Sequence, residues 1–292
     1  MIELEGVLKR LVPAYRGADI DVDYALAIGA FLQPLAAWVG RGVELSASGA
    51  IYCRVCARPT PVSYGQGHCY ACFRSLPGCD VCIRSPDRCH FAAGTCRDPA
   101  WGEANCMRPH LLYLAVASGL KVGMTTQFNL PGRWLDQGAQ QAVLIAEAGT
   151  RHIAGLLEVA LARHVADRTD WRRMIANAAL DVDLPARAAA LRASVAGEVD
   201  DLQRRFGAAA VQWRTDSAIW HARYPRADDL PIEPSQLKLD AEHGIAATLL
   251  GMKGQYLLLD RGVLNIRRHA GYHVRLRLGG PVSAVLRQAS LF

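Results

Sequence analysis

The sequence predicts an α+β multidomain chain, with β-rich modules at both ends, a cysteine-rich module that needs metal, and a central unit of order β-β-α-β-α. Three observations predict it. All nine cysteines of the 292 residues lie between Cys53 and Cys106. Apolar and polar residues alternate near both ends of the chain, the mark of half-buried strands. Residues 110–165 carry strand-length apolar runs followed by a helical period.

Residues 1–50 are expected to form an N-terminal β module. Residues 2–8 and 43–45 alternate, and Gly40, Gly42 and Gly49 punctuate them. The most apolar stretch, 25–40, is interrupted by Gln33 and Pro34 and is too short to span a bilayer. The first residues are acidic and lack the basic-then-apolar run of a secretory leader. With thiols expected to be reduced, the sequence points to a cytoplasmic protein with no membrane partner.

Residues 51–109 are rich in Gly, Pro, Ser and Arg and poor in apolar runs, so metal rather than a hydrophobic core must organise them. Six of the cysteines form Cys-x-x-Cys pairs: Cys53/Cys56, Cys69/Cys72 and Cys79/Cys82. Such a turn aims two thiolates at one centre, and two turns complete a tetrahedral site. The spacing of Cys53, Cys56, Cys69 and Cys72 is close to that of a zinc ribbon, whose central gap is usually slightly longer. A second closed site is assigned to Cys79, Cys82, Cys89 and Cys96, with Cys106 or His110 as substitutes. His90 adjoins Cys89 and is placed outside that shell, because neighbouring residues rarely reach one metal together. Zinc suits both sites, and an iron–sulfur cluster is the competing occupant. Closed four-thiolate sites keep no open position, so both metals are expected to be structural.

Residues 110–175 read as the α/β unit. A buried strand over 110–117 turns at Ser118-Gly119 into a second strand over 120–125. Pro131 opens and Gly138 closes a short helix, 142–146 is a third strand, and 151–165 is an amphipathic helix. Tyr113 interrupts an aliphatic strand, Lys121 lies on its partner, Arg133 starts the short helix, and Glu158 sits on an inward row. An inward carboxylate needs a partner or a metal. Residues 176–235 form an Ala-rich helical segment, with Leu184-Pro185 starting and Gly207 ending one helix.

Residues 236–292 return to β patterning over 254–260, 263–267 and 272–278. Lys238, Lys253, Arg261, Arg267, Arg268, Arg275, Arg277 and Arg287 face only Asp240, Glu242 and Asp260. Most of the whole-chain excess of +6 therefore falls in this basic C-terminal module. Arg267, Arg268, Arg275 and Arg277 are the candidate contacts for nucleic acid, DNA or RNA. A faint likeness between residues 38–45 and 269–276 points to pairing of the two ends.

The residues Leu111-Leu112-Tyr113, Lys121-Val122-Gly123, Arg133 and Glu158, in that order, resemble the GIY-YIG nuclease superfamily, in its phage-type branch. The likeness covers about 110–170. Leu111 stands where that family has glycine, and Lys121 where it has tyrosine. The resemblance implies hydrolysis of phosphodiesters with one divalent ion. Glu158 would hold Mg²⁺ or Mn²⁺, Tyr113 would act as general base or orient water, Arg133 would neutralise charge on the phosphate, and Lys121 would add electrostatic support. A wider pattern includes Tyr64-Gly-Gln-Gly-His68, Trp134-Leu-Asp-Gln-Gly138 and Lys253-Gly-Gln-Tyr256. It resembles a prokaryotic family that carries zinc-ribbon-like knuckles and has no assigned activity. The expected function is a zinc-stabilised, nucleic-acid-processing phosphodiesterase. The alternatives are a non-catalytic DNA- or RNA-binding adaptor, and an enzyme of RNA modification or small-molecule chemistry that reuses the same pocket.

Overall fold

A computed structural model of the protein describes residues 1–15, 21–165, 171–175, 182–227 and 235–279. The chain is mixed α/β with large sheets, and it divides into two compact units. One comprises Met1–Phe73 and resumes at Arg223; the other, Arg74–Ala222, is inserted within it. The five consecutive modules expected from the sequence thus collect into two. The two β-rich ends belong to one unit, and the cysteine segment 51–109 is shared out, with Cys53 to Cys72 in the first unit and Cys79 to Cys106 in the second.

The start of the chain supplies β1 (Ile2–Tyr15), β2 (Val22–Ile28), β3 (Phe31–Pro34) and β4 (Gly42–Ile51). The inserted unit supplies β5 (His110–Val116), β6 (Leu120–Thr125), β7 (Gln141–Ala148), β8 (Val211–Trp213) and β9 (Trp220–His221). The first unit then resumes with β10 (Gln236–Leu237), β11 (Ile245–Lys253), β12 (Tyr256–Leu259), β13 (Gly262–Asn265) and β14 (Tyr272–Leu278).

In the first unit the strands form a nine-stranded sheet of order β10-β13-β12-β11-β4-β14-β1-β2-β3. Strands β2, β4 and β14 alternate: Val22, Tyr24, Leu26 and Ile28, then Val43, Leu45 and Ala47, then Val274, Leu276 and Leu278 point into the core. That period of two fixes the register, since a slip of one residue would turn every apolar side chain outward. Strand β11 escaped the sequence reading because it is buried along almost its whole length and shows no alternation. β12 and β13 are shorter than the patterns at 254–260 and 263–267 implied. The segment Lys253-Gly-Gln-Tyr256 is the β11–β12 hairpin. Lys253 pairs with Tyr256, and Gly254 takes a φ of 58° at the first loop position, where glycine is favoured. Gln255 turns inward, accepting from Leu11 N at 3.0 Å and donating to Leu11 O at 2.8 Å.

On the outward face of β14, acidic residues stand beside the expected nucleic-acid stripe. Arg275 lies opposite Glu5, and Arg277 lies between Glu3 and Glu44. Arg275 donates to Glu5 Oε2 at 2.9 and 3.1 Å, and Arg277 donates to Glu3 Oε2 at 3.1 Å. These guanidinium groups form a cross-strand charge ladder. Arg268 donates to Gln236 Oε1 at 3.0 Å, and Arg267 is half-buried and has a partner of its own. The charge count along residues 236–292 missed the acids that β1 and β4 bring beside β14. Arg287 lies outside the described residues.

In the inserted unit the sheet order is β6-β5-β7-β8, with β9 also on β7. Its helices include α1 (Pro99–Cys106), α2 (Gly132–Asp136), α3 (Arg151–Ala162), α4 (Leu184–Ser194) and α5 (Ala196–Phe206), besides short unlabelled helices at Val81–Arg84, which carries Cys82, and Trp171–Ile175. The order β5-β6-α2-β7-α3 is the one expected. The helical segment is two helices broken at Val195, and Gly207 closes the second at a φ of 94°. Strand β5 is buried on both faces. Leu112, Leu114 and Val116 pack with Ala154, Leu157 and Leu161 of α3, while Tyr113 and Ala115 pack with Trp134, Ala139 and Ala142. Strands β8 and β9, of three and two residues, are too short to leave a period in the sequence.

Candidate functional site

The first thiol cluster is built by two tight turns. Cys53 is buried, Cys56 is exposed, and Cys69 and Cys72 are half-buried. All four sulfurs lie within 4.8 Å of one another, and Cys56 Sγ and Cys69 Sγ are 3.8 Å apart. Zinc–sulfur bonds of about 2.3 Å in a tetrahedron place the sulfurs about 3.8 Å apart, so the cluster can bind zinc. Between the knuckles, Tyr64 and His68 exchange backbone hydrogen bonds at 2.9 and 2.8 Å around Gly65-Gln66-Gly67. All three loop residues have positive φ, which explains the glycines. Burial opposes ionisation of Cys53, but the backbone N–H groups of Cys56, Cys69 and Val55 bring its pKa down to about 6. Cys72, held by Cys69 and crowded by burial and the other thiols, is pushed up to about 12. Four thiols so close ionise together only around a cation.

The second group of thiols belongs to the inserted unit. Cys82, Cys89, Cys96 and Cys106 line one small cavity; Cys79 and His110 do not. Cys79 ends a 3₁₀ turn, and His110 is buried on β5 with Nδ1 beside Arg108 O at 2.9 Å. His90 lines the cavity too, but its nitrogens are engaged, with Nδ1 2.9 Å from Thr95 Oγ1 and Nε2 3.4 Å from Asp80 Oδ2. Burial first, then Asp80 and the other three thiols, pushes Cys82 up to about 11.

The third cluster surrounds Tyr113. The antiparallel pairing sets Tyr113 opposite Gly123 and Ala115 opposite Lys121, so Lys121 shares the face of Tyr113. The Tyr113 ring lies across Gly123, where a Cβ would stand 2.5 Å from its Cζ and hydroxyl oxygen. This close approach is why the second motif needs glycine. Gly123→Ala is expected to cost about 1–3 kcal/mol through overpacking. Urea unfolding checks this, and an alanine variant as stable as wild type would unseat the ring from Gly123. Tyr113 Oη donates to Gln137 Oε1 at 2.8 Å, and Trp134 meets the ring edge-on at 5.9 Å. Arg133, on the same helix, hydrogen-bonds the hydroxyl, and the charge of Glu158 also acts on it. Burial, only partly offset by Arg133, raises the Tyr113 pKa. Sequence reasoning missed Gln137. Its signal was the four-residue step from Arg133, which places both on one side of α2.

Residues 40–274 match the family described as "Protein of unknown function (DUF2797)". The chain belongs to this family. No curated protein and no solved structure matches it. The match in this DUF2797 chain spans both thiol clusters and the whole Tyr113 pocket. Of the sequence-derived catalytic candidates, Arg133 hydrogen-bonds Tyr113, the charge of Glu158 acts on Tyr113, and Lys121 lies on the same sheet face. A separate cavity of about 220 Å³ between β7 and α4 includes none of the four. Among the described residues no helix is long and apolar enough to cross a membrane.

Proposed function

We propose that this DUF2797 protein is a zinc-stabilised, nucleic-acid-processing phosphodiesterase whose inserted unit works in the GIY-YIG manner. The observation that carries the proposal is that the buried hydroxyl of Tyr113 is hydrogen-bonded with Gln137 and Arg133 while the charge of Glu158 acts on it. Tyr113, Arg133 and Glu158 belong to three elements, β5, α2 and α3, and their order along the chain is the one the motif resemblance implies.

Glu158 is half-buried on α3 and offers the hard oxygen donor that a divalent ion prefers. Mg²⁺ commonly takes one or two carboxylates and completes its shell with water and phosphate oxygens, so a single glutamate fits. Such an ion, when bound, supplies Lewis-acid polarisation of the phosphodiester. Arg133 is exposed, and its planar guanidinium matches phosphate oxygens as charge builds. Tyr113 keeps its proton and donates a hydrogen bond to Gln137 Oε1, which favours an orienting role over that of general base. By receiving a hydrogen bond from Arg133 it also fixes where that charge points. Lys121 adds a second positive charge on the same face.

The test is a cleavage assay on single- and double-stranded DNA and RNA with Mg²⁺ or Mn²⁺. Glu158→Gln keeps size but removes the charge, and is expected to lower cleavage by about 10²-fold or more with an unchanged circular dichroism spectrum. Arg133→Ala is expected to lose about 10²-fold with metal content unaffected. Full activity in Glu158→Gln would remove this site. Wild-type binding without turnover would turn the assignment to an adaptor, and a requirement for Lys121 without strand cleavage would turn it to modification chemistry.

A further inference from the structure

We propose that Cys82, Cys89, Cys96 and Cys106 hold a [4Fe–4S] cluster, whereas the Cys53, Cys56, Cys69 and Cys72 site holds a single zinc ion. The two thiol sets of this one chain differ in spacing. The first closes to within 4.8 Å, as one ion requires, and no three sulfurs of the second meet that limit. A cubane cluster binds each thiolate at a different iron, so its cysteine sulfurs stand roughly 6 Å apart, wider than around one ion. The second set nonetheless lines one common space, and Cys82 lies within electrostatic reach of Cys89, Cys96 and Cys106.

The walls suit such a cluster. Phe91, Trp101 and Pro77 line the space with the sulfurs, and its surface is almost entirely apolar. Gly102 lets α1 approach closely, since a Cβ there would stand 2.9 Å from the Phe91 ring and 3.2 Å from Cys96 Sγ. Cys106, one turn further along α1, shares the inward side with Gly102. Arg151 acts electrostatically on Cys106 and carries a buried Nε–H with no acceptor among the described residues. Such N–H groups commonly point to cluster sulfurs and tune them.

A rival mononuclear site would use Asp80, Cys82 and His90, whose ligand atoms lie within 4.8 Å of one another. Arg97 Nε sits 3.0 Å from the same Asp80 Oδ2 that His90 approaches. A guanidinium there repels a cation, and Asp80 Oδ1 is taken by Val81 N at 2.6 Å. Asp80 is therefore a bracing group: it caps the short helix that carries Cys82 and anchors the strip from His90 to Arg97.

The experiment is metal and sulfide analysis of the full chain purified without oxygen from iron-supplied cells. The expected result is about one zinc, four iron and four acid-labile sulfide per chain, with broad absorbance near about 400 nm. Cys82→Ala and Cys106→Ala should retain under about a tenth of the iron and keep the zinc, while Cys79→Ala keeps both. Two zinc ions and no iron, even after anaerobic reconstitution with iron and sulfide, would overturn the proposal. So would equal iron loss in Cys79→Ala and Cys106→Ala. Should the variants fail to fold, iron-57 Mössbauer spectra of the wild type decide between a cubane and other iron. The outcome is separate from cleavage activity, which depends on Glu158.

Discussion

Cys56→Ser is expected to abolish zinc binding at the first cluster and to unfold the sheet end that the knuckles support. The knuckles are tied to the start of β14: Tyr52 N donates to Gly271 O at 2.7 Å, and Ser63 Oγ donates to Ala270 O at 2.8 Å. Little apolar surface supports the segment, since between Cys53 and Cys72 only Cys53, Thr60 and Gly67 are buried. A structural zinc site contributes on the order of 10 kcal/mol, comparable with the whole stability of a domain. Losing one of four thiolates is therefore enough to open it. Elemental analysis and a thermal melt check the result, and chelator treatment of the wild type should reproduce it. A Cys56→Ser protein that melts with the wild type, or wild type that keeps its melting temperature after zinc removal, would make the cluster ornamental.

Lys253→Met is expected to stabilise the protein at neutral pH. Lys253 is fully buried, with Nζ 5.2 Å from the centre of the Tyr224 ring. Burial first, then the charge of Arg226, brings its pKa down to about 7. The unfolded chain holds that proton up to about pH 10.4, so between those limits it binds more protons than the folded one. Stability must then rise with pH from about 7 to about 10, by roughly 4–5 kcal/mol in all, and show no further dependence on this group below that window. Methionine removes the ionisable group and forfeits both a cation–π attraction of about 1 kcal/mol and the other polar contact of Lys253, so the net gain near pH 7 is smaller than that span. Urea midpoints of both proteins at about pH 6.5 and about pH 9.5 measure it. A gap between them that does not narrow on raising the pH would contradict the assignment.

What the sequence could show depended on how local each signal was. The first knuckles were legible because each pair of thiols is placed by a single tight turn. The shared cavity of Cys82, Cys89, Cys96 and Cys106 was harder to read, because a short helix, a 3₁₀ turn, a loop and α1 gather them from spacings that no single turn sets. The β-β-α-β-α order was visible because hairpins and an amphipathic helix carry their periods over short spans. The charge ladder was invisible for the opposite reason: Arg277 meets Glu3 from the far end of the chain. Strand β11 hid because burial on both faces erases alternation, and Gln137 because a polar residue near a helix end usually faces water.

The insertion of Arg74–Ala222 between the two halves of the large sheet sets an order of events during synthesis. The partners of β4 are β11 and β14, and one edge of β1 waits for β14. As the nascent chain emerges, the strands and helices of the inserted unit have their sheet partners long before residue 278 leaves the ribosome, whereas the knuckles still wait for Ala270 and Gly271. Meanwhile β1 and β4 present unpaired edges, the kind that recruit chaperones or join neighbouring chains. An early-folding insert between the two halves of the sequence would make the docking of β14 the slow, committing step of biogenesis. Truncations before β14 should therefore accumulate as aggregates that still contain a folded α/β unit.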